Sequence, residues 1–190
     1  MIRLLIVDDH PAMRAGLTAV LRAEPGMVPV ASLASHDDLA AAVSRTEADV
    51  VLLDCHAPGD DALRRCRRLK AAHDPPAVLL HVAYEDESLL IPAALAGADG
   101  LITKSAPADE LFDAVRSVAR GDRSAPPVSR QLLGSAGEAL TAEQLPVLAM
   151  MLDGTPPDEV AETLRTTPES IARLVDDMLD RLRGRLASAA

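Results

Sequence analysis

Four side chains in this sequence have the types and settings that phosphate or metal chemistry needs: the acid pair Asp8-Asp9, Asp54 and Lys104. Each follows a short apolar run, Ile2–Val7 before the pair, Val50–Leu53 before Asp54 and Gly100–Thr103 before Lys104. Three carboxylates gathered in one place repel one another, so they call for a cation among them. Hard oxygen donors with room left for water and phosphate suit Mg²⁺. A lysine beside them pairs with a phosphoryl oxygen. Together the four would carry out metal-assisted phosphoryl transfer onto a carboxylate nucleophile. Taken singly, each reads as a solvated loop acid or a surface lysine. Only their joint placement at matching strand ends carries the chemistry.

That placement needs a particular scaffold. Over the first 120 residues, apolar runs at Ile2–Val7, Val28–Ser32, Val50–Leu53, Val78–Val82 and Gly100–Thr103 alternate with stretches of helical spacing. The latter are Pro11–Ala23, Asp37–Arg45, Asp61–Ala71, Asp86–Ala96 and Pro107–Arg120. Continuously apolar strands in a βα repeat predict an α/β fold: a parallel five-stranded sheet covered by helices on both faces. Ligands of such sheets collect at the carboxyl ends of the strands, where the four residues fall. Pro11 and Pro107 sit where a first helical turn accepts proline.

The motifs Leu4-Leu5-Ile6-Val7-Asp8-Asp9-His10-Pro11, Asp49–Asp54 followed by Pro58-Gly59, and Ala96-Gly97-Ala98-Asp99-Gly100 leading to Lys104 resemble receiver domains of the NarL/FixJ response regulators. The likeness covers about residues 2 to 121. It implies a flavodoxin-like (βα)5 receiver over 1–121, in which Asp54 is the phosphoacceptor. It also implies Mg²⁺ held by Asp9, Asp54 and the backbone carbonyl of His56, with Asp8 assisting through water and Lys104 contacting the phosphoryl group. The phosphodonor would be a sensor histidine kinase or a small phosphorylated molecule. Two matched positions depart from the pattern. Val82 stands where the family has a switch Thr or Ser, and Leu101 where it has an inward-turning Tyr or Phe. Val has nearly the shape of Thr but no hydroxyl to hold a phosphoryl oxygen. Fewer contacts that differ between two states mean a smaller shift on phosphorylation, so weak coupling to the output is expected. Repacking of Ala83 and Tyr84 is the alternative. His56 and His81 lie near the same rim, but no metal-ligand spacing links them.

Residues 122–139, rich in Gly, Pro and Ser, read as a linker with a helical turn or two. Beyond Leu140 strand signals stop. Thr141-Ala142-Glu143-Gln144 fits a capping box, Asp158–Leu164 a second helix, and Thr167-Pro168 the start of a third running to about Gly184. This apolar framework resembles the LuxR-type helix-turn-helix over about residues 140 to 183, within an output domain of 140–190 that lacks a full fourth helix, since only Leu186–Ala190 remain. The resemblance implies DNA contacts from Ser170, Ala172, Arg173, Asp176 and Asp177. These positions are poor in cations: from Thr141 to the end there are five Arg and no Lys against nine acids. Pro146 adds a missing amide donor within the first helix.

Two functions follow. One is a transcription regulator, dimeric on DNA and controlled by phosphorylation. The alternative acts by protein–protein contact without binding DNA. An enzyme with a separate substrate is not expected, since no second pocket is legible. The net charge of −10 weighs mildly against nucleic acid without excluding a local basic face. With one Phe, one Tyr and no Trp in 190 residues, the core must be aliphatic. Cys55 and Cys66 show no CxxC pattern and read as reduced core thiols. The first apolar run is too short for a signal peptide or membrane span, which predicts a cytoplasmic protein.

Overall fold

Five parallel strands pair in the order β2-β1-β3-β4-β5. They are β1 (Ile2–Val7), β2 (Met27–Leu33), β3 (Val50–Cys55), β4 (Ala77–Val82) and β5 (Gly100–Thr103). Helices α1 (Pro11–Ala23), α2 (Leu39–Thr46), α3 (Ala62–Lys70), α4 (Leu90–Leu95) and α5 (Ala108–Ala119) follow them in turn, and a single 3₁₀ turn, Glu87–Leu89, precedes α4. The computed structural model describes residues 1–35, 37–55, 62–122, 124 and 128–189, the stretch from 183 by its backbone alone. This is the doubly wound, flavodoxin-like sheet expected, and its strand order reverses between β1 and β3, where ligands of such sheets bind.

Strand parity sorts the side chains into two faces. Leu4 and Ile6 of β1, Val50 and Leu52 of β3, Leu79 of β4 and Ile102 of β5 lie in one core, packed with Leu21 of α1 and Val115 of α5. All are nearly or wholly shielded from water. Continuing each row by two residues gives Asp8, Asp54, His81 and Lys104. The same alternation that builds the aliphatic core therefore carries the four polar groups to its carboxyl edge. Edge strand β2 shows a register shift opposite Leu4 and Leu5, beside Pro29, whose missing N–H leaves a ladder position unfilled.

Helix starts follow local chemistry. The Asp38 carboxylate accepts from the Ala41 amide at the head of α2, 3.0 Å away. In α3, Leu63, Cys66 and Leu69 are buried while Arg64 and Arg67 lie between them in sequence.

By its internal contacts the chain forms two units, 1–85 with 97–125, and 86–96 with 126–190. The second unit gathers α4 with α6 (Arg130–Ala139), α7 (Gln144–Leu152), α8 (Pro157–Thr163) and α9 (Pro168–Ala189). Within it α4, whose Leu90, Ile91, Pro92, Ala93 and Leu95 are all buried, packs on α7 and α9. A helix apolar on all sides needs cover on all sides. Three details differ from the sequence expectations. The 122–139 stretch contains α6, a ten-residue helix capped by Ser129 on the Leu132 amide. The last residues extend α9 to Ala189 rather than forming a tail. Pro146 falls in the first turn of α7, where amides have no partner within the helix, so its missing donor costs nothing there.

Gly100 is the position where space is tightest. A Cβ there would lie 2.8 Å from the backbone oxygen of Ser124 and 2.8 Å from Leu79 Cδ1. The Ser124 carbonyl cannot yield, because it accepts the Leu101 amide at 2.8 Å. Gly100→Ala should therefore destabilise the first unit by about 1–3 kcal/mol through overpacking, read as a lower urea midpoint with unchanged m-value.

Candidate functional site

Lys104 stands at the centre of the acidic edge. Its Nζ lies 2.9 Å from Asp8 Oδ2 and 2.8 Å from Asp54 Oδ1. Asp8 is 1% exposed and Asp54 4%, so two carboxylates share one ammonium almost out of water. Burial pushes the Asp8 carboxyl up, but the Lys104 ammonium and the His10 amide outweigh it and hold it below its ordinary value. Burial pulls Lys104 down, and its bonds to Asp54 and Asp8 more than reverse this, raising its pKa. The loop after β1 completes the cradle. The His10 amide donates to Asp8 Oδ1 at 2.7 Å and its Nδ1 lies 3.1 Å from the same oxygen. Arg14 Nη1 donates to the Asp8 carbonyl at 2.6 Å.

Asp8, His10 and Asp54 each offer a ligand atom, all within 4.8 Å of one another. Asp9, expected to ligate metal, is placed elsewhere: its carboxylate accepts from the Ser35 amide and the Ser35 hydroxyl, each at 2.6 Å. Ser35 belongs to the loop after β2, the neighbour of β1, and nothing in the local sequence marked it. His56, expected to supply a carbonyl, lies outside the described residues.

Val82 is buried beside Cys55 and Thr103, on the sheet face opposite Asp54 by strand parity. Leu101 is half-buried on β5. Tyr84, offered as a substitute lever, is 57% exposed.

His81 is the site residue that the sequence reading set aside. It is the direct register partner of Asp54 across β3 and β4, so both side chains leave the sheet on one face. It is 4% exposed, and its Nδ1 has no hydrogen-bond partner among the described residues. Burial draws its pKa down from 6.5 to about 4; the Lys104 charge adds to this and Asp8 opposes it. The imidazole is therefore neutral at pH 7. Counting parity from Leu79 would have found it.

In the second unit, α8 and α9 are joined by a turn through Arg165 in the left-handed conformation, φ +54°. The Thr167 hydroxyl caps α9 on the Ser170 amide. Ser170, Arg173 and Asp177 line a groove of about 670 Å³ with Pro146, Leu164 and Leu174. Asp177 is engaged structurally: it accepts from Gln144 Nε2 at 2.7 Å and from Arg181 Nε at 2.8 Å. Gln144, buried, also accepts the Thr141 amide at 3.0 Å, one half of the capping box. Arg173 and Asp176 are exposed, and Arg173 donates to the Ser170 hydroxyl at 3.3 Å. Ala172, half-buried, has no polar group to offer.

Residues 4–116 match the model of the response regulator receiver domain. The chain is 26% identical to the transcriptional regulatory protein LiaR of Bacillus subtilis, over 96% of this chain and 91% of LiaR. It is 27% identical to the DNA-binding transcriptional activator DevR/DosR of Mycobacterium tuberculosis, over 96% and 88% respectively. Among solved structures, the response regulator ChrA of a heme-sensing two-component system is similar over 97% of this chain and 98% of its own, with a TM-score of 0.55 and 27% identity. RcsB of Salmonella enterica bound to a promoter shares the fold at 20% identity and TM-score 0.60, over 95% of this chain and 91% of its own.

Acid should destabilise the protein in two windows. Below pH 6.5 the unfolded chain protonates His81, whereas the folded chain does so only near pH 4. Folding stability should therefore fall by about 3 kcal/mol between these values. Asp8, with its lowered folded pKa, adds a further loss only as pH drops below 3.8. Urea unfolding at pH 7, 5.5 and 4.5 should show the first fall, and His81→Leu should flatten it.

Proposed function

The chain belongs to the response regulator receiver family, and from that premise we propose that it serves a two-component system, accepting a phosphoryl group on Asp54 and regulating transcription through its helix-turn-helix. The observation that carries this reading is the Lys104 ammonium held between two buried carboxylates at the carboxyl edge of the sheet. In our reading the receiver occupies 1–121, a linker 122–139 and the output 140–190.

The carboxylate donors fit a hard divalent cation. Asp8, Asp9, Asp54 and the His56 carbonyl would hold Mg²⁺, which supplies charge neutralisation between the carboxylates and the incoming phosphoryl oxygens. Asp9 would join such a set only by giving up its bonds to Ser35. His10 fixes the Asp8 carboxylate through its amide. An oxygen of Asp54 forms the new bond to phosphorus as the bond to the donor's leaving group breaks, the donor being a histidine kinase or a small phosphorylated molecule. Lys104 then pairs with a phosphoryl oxygen, having held Asp54 in place beforehand. The chain modifies its own side chain and turns over no second substrate.

DNA binding is supported by the relatives rather than by charge. LiaR and DevR/DosR, each matched over almost the whole of this chain, are transcriptional regulators, so the alternative of contact with proteins alone is not favoured. Dimerisation would pair two α9 helices on half-sites. We place the protein in the cytoplasm; no described helix is long and apolar enough to cross a membrane.

Incubation of the intact chain with acetyl phosphate and Mg²⁺ should add one phosphoryl mass, and Asp54→Asn or EDTA should abolish it. Absence of any adduct would overturn the reading. Binding to promoter duplex should weaken between 50 and 200 mM salt, and Arg173→Ala should cost roughly 3–10-fold with a shallower salt slope, measured by fluorescence anisotropy. No binding even at the lowest salt would return the alternative.

A further inference from the structure

His81 on β4 stands beside Asp54, and none of the described residues bonds its Nδ1. Three observations bear on this. His81 and Asp54 are register partners on adjacent parallel strands, so their side chains leave the same face about 5 Å apart. The ring is 4% exposed and its Nδ1 has no partner among the described residues. A buried imidazole nitrogen left unsatisfied costs stability, and such an atom beside a reacting group is explained by a ligand that completes it. Lastly, Val82, where a hydroxyl would hold a phosphoryl oxygen, carries only methyl groups and sits wholly buried.

We propose that His81 is a phosphoryl-holding residue: its neutral ring donates an N–H to an oxygen of the phosphorylated Asp54 and supplies the contact that Val82 lacks. The inference rests on Asp54 being the phosphoacceptor. A neutral donor suits the place. Lys104 already brings one positive charge to Asp8 and Asp54, and its field disfavours a second cation beside it. The imidazole can turn its N–H to either ring nitrogen, so it accommodates an acceptor that arrives only with the phosphoryl group. Before transfer, Nδ1 has no partner among the described residues. After the bond from the Asp54 oxygen to phosphorus has formed, the phosphoryl oxygens lie over the β3–β4 edge and one of them takes the ring N–H. The other reading, an imidazole that merely fills core volume, gives Leu at this position an equal or better fit.

The test compares wild type, His81→Leu, His81→Asn and Asp54→Asn. Each intact chain is treated with acetyl phosphate and Mg²⁺, and phosphoryl uptake is followed by intact mass. Thermal unfolding and the ¹⁵N shifts of the His81 ring are recorded in parallel. His81→Leu should unfold at a temperature no lower than wild type and yet take up phosphoryl about 10-fold more slowly, as loss of one hydrogen bond predicts. His81→Asn, which puts an amide N–H near the Nδ1 position, should retain most of the rate. The ring shifts should move on phosphorylation of wild type and stay fixed in Asp54→Asn. Uptake by His81→Leu within twofold of wild type, or ring shifts that ignore phosphorylation, would overturn the proposal while leaving Asp54 as phosphoacceptor. If wild type takes up no phosphoryl at all, the site assignment and this inference fall together.

Discussion

The structure of the site depends on one ammonium shared by two carboxylates. Asp8 and Asp54, each less than 5% exposed, both lie within 3 Å of Lys104 Nζ. Removing three charges from water is costly, and their mutual attraction offsets that cost only where geometry is good and the remaining lone pairs are satisfied. The loop after β1 provides for this, with the His10 amide and ring on Asp8. Even so, two negative charges face one positive. The excess of one negative charge is the driving force for a divalent cation, and it makes the pocket a poor place for anything but a cation or a phosphoryl group brought with one. Stability is given up locally so that binding can restore it.

How this edge is built was largely legible. The strand-end rule placed Asp8, Asp54 and Lys104 because they need only the βα pattern and the parity of each strand. All five strands are within a residue or two of where their apolar runs put them. Asp9 was not legible in the same way. Its neighbour Ser35 stands in a loop, and which loop residue meets which acid depends on the path of the chain rather than on any periodicity. His81 carries no ligand spacing, and only strand parity marks it: it continues the row Leu79, His81 beside Leu52, Asp54. In the second unit the capping box at Thr141 was legible, but not the burial of Gln144 or its bond to Asp177 across 33 residues, which only packing of α7 on α9 creates. Helix α6 escaped because Gly and Pro nearby outweighed its Ser129 cap.

That bond changes how the acidic output helix is read. From sequence, Asp176 and Asp177 count equally against DNA. In the structure Asp177 is occupied twice, by Gln144 from α7 and by Arg181 one turn on, so its charge is balanced locally and its oxygens are turned to structure. A carboxylate already paired with a guanidinium repels a phosphate far less than a free one does at ordinary salt. The same pair removes Arg181 from the cations available to a backbone. Near the head of α9 stand the exposed Arg173 and the acids Glu169 and Asp176, and the Ser170 amide is already taken by the Thr167 hydroxyl. Few cations among the described residues of this face mean little counterion release from it. In the proposed DNA-bound state, two copies acting together would have to supply what a single recognition helix lacks, which would tie occupancy of a promoter to assembly.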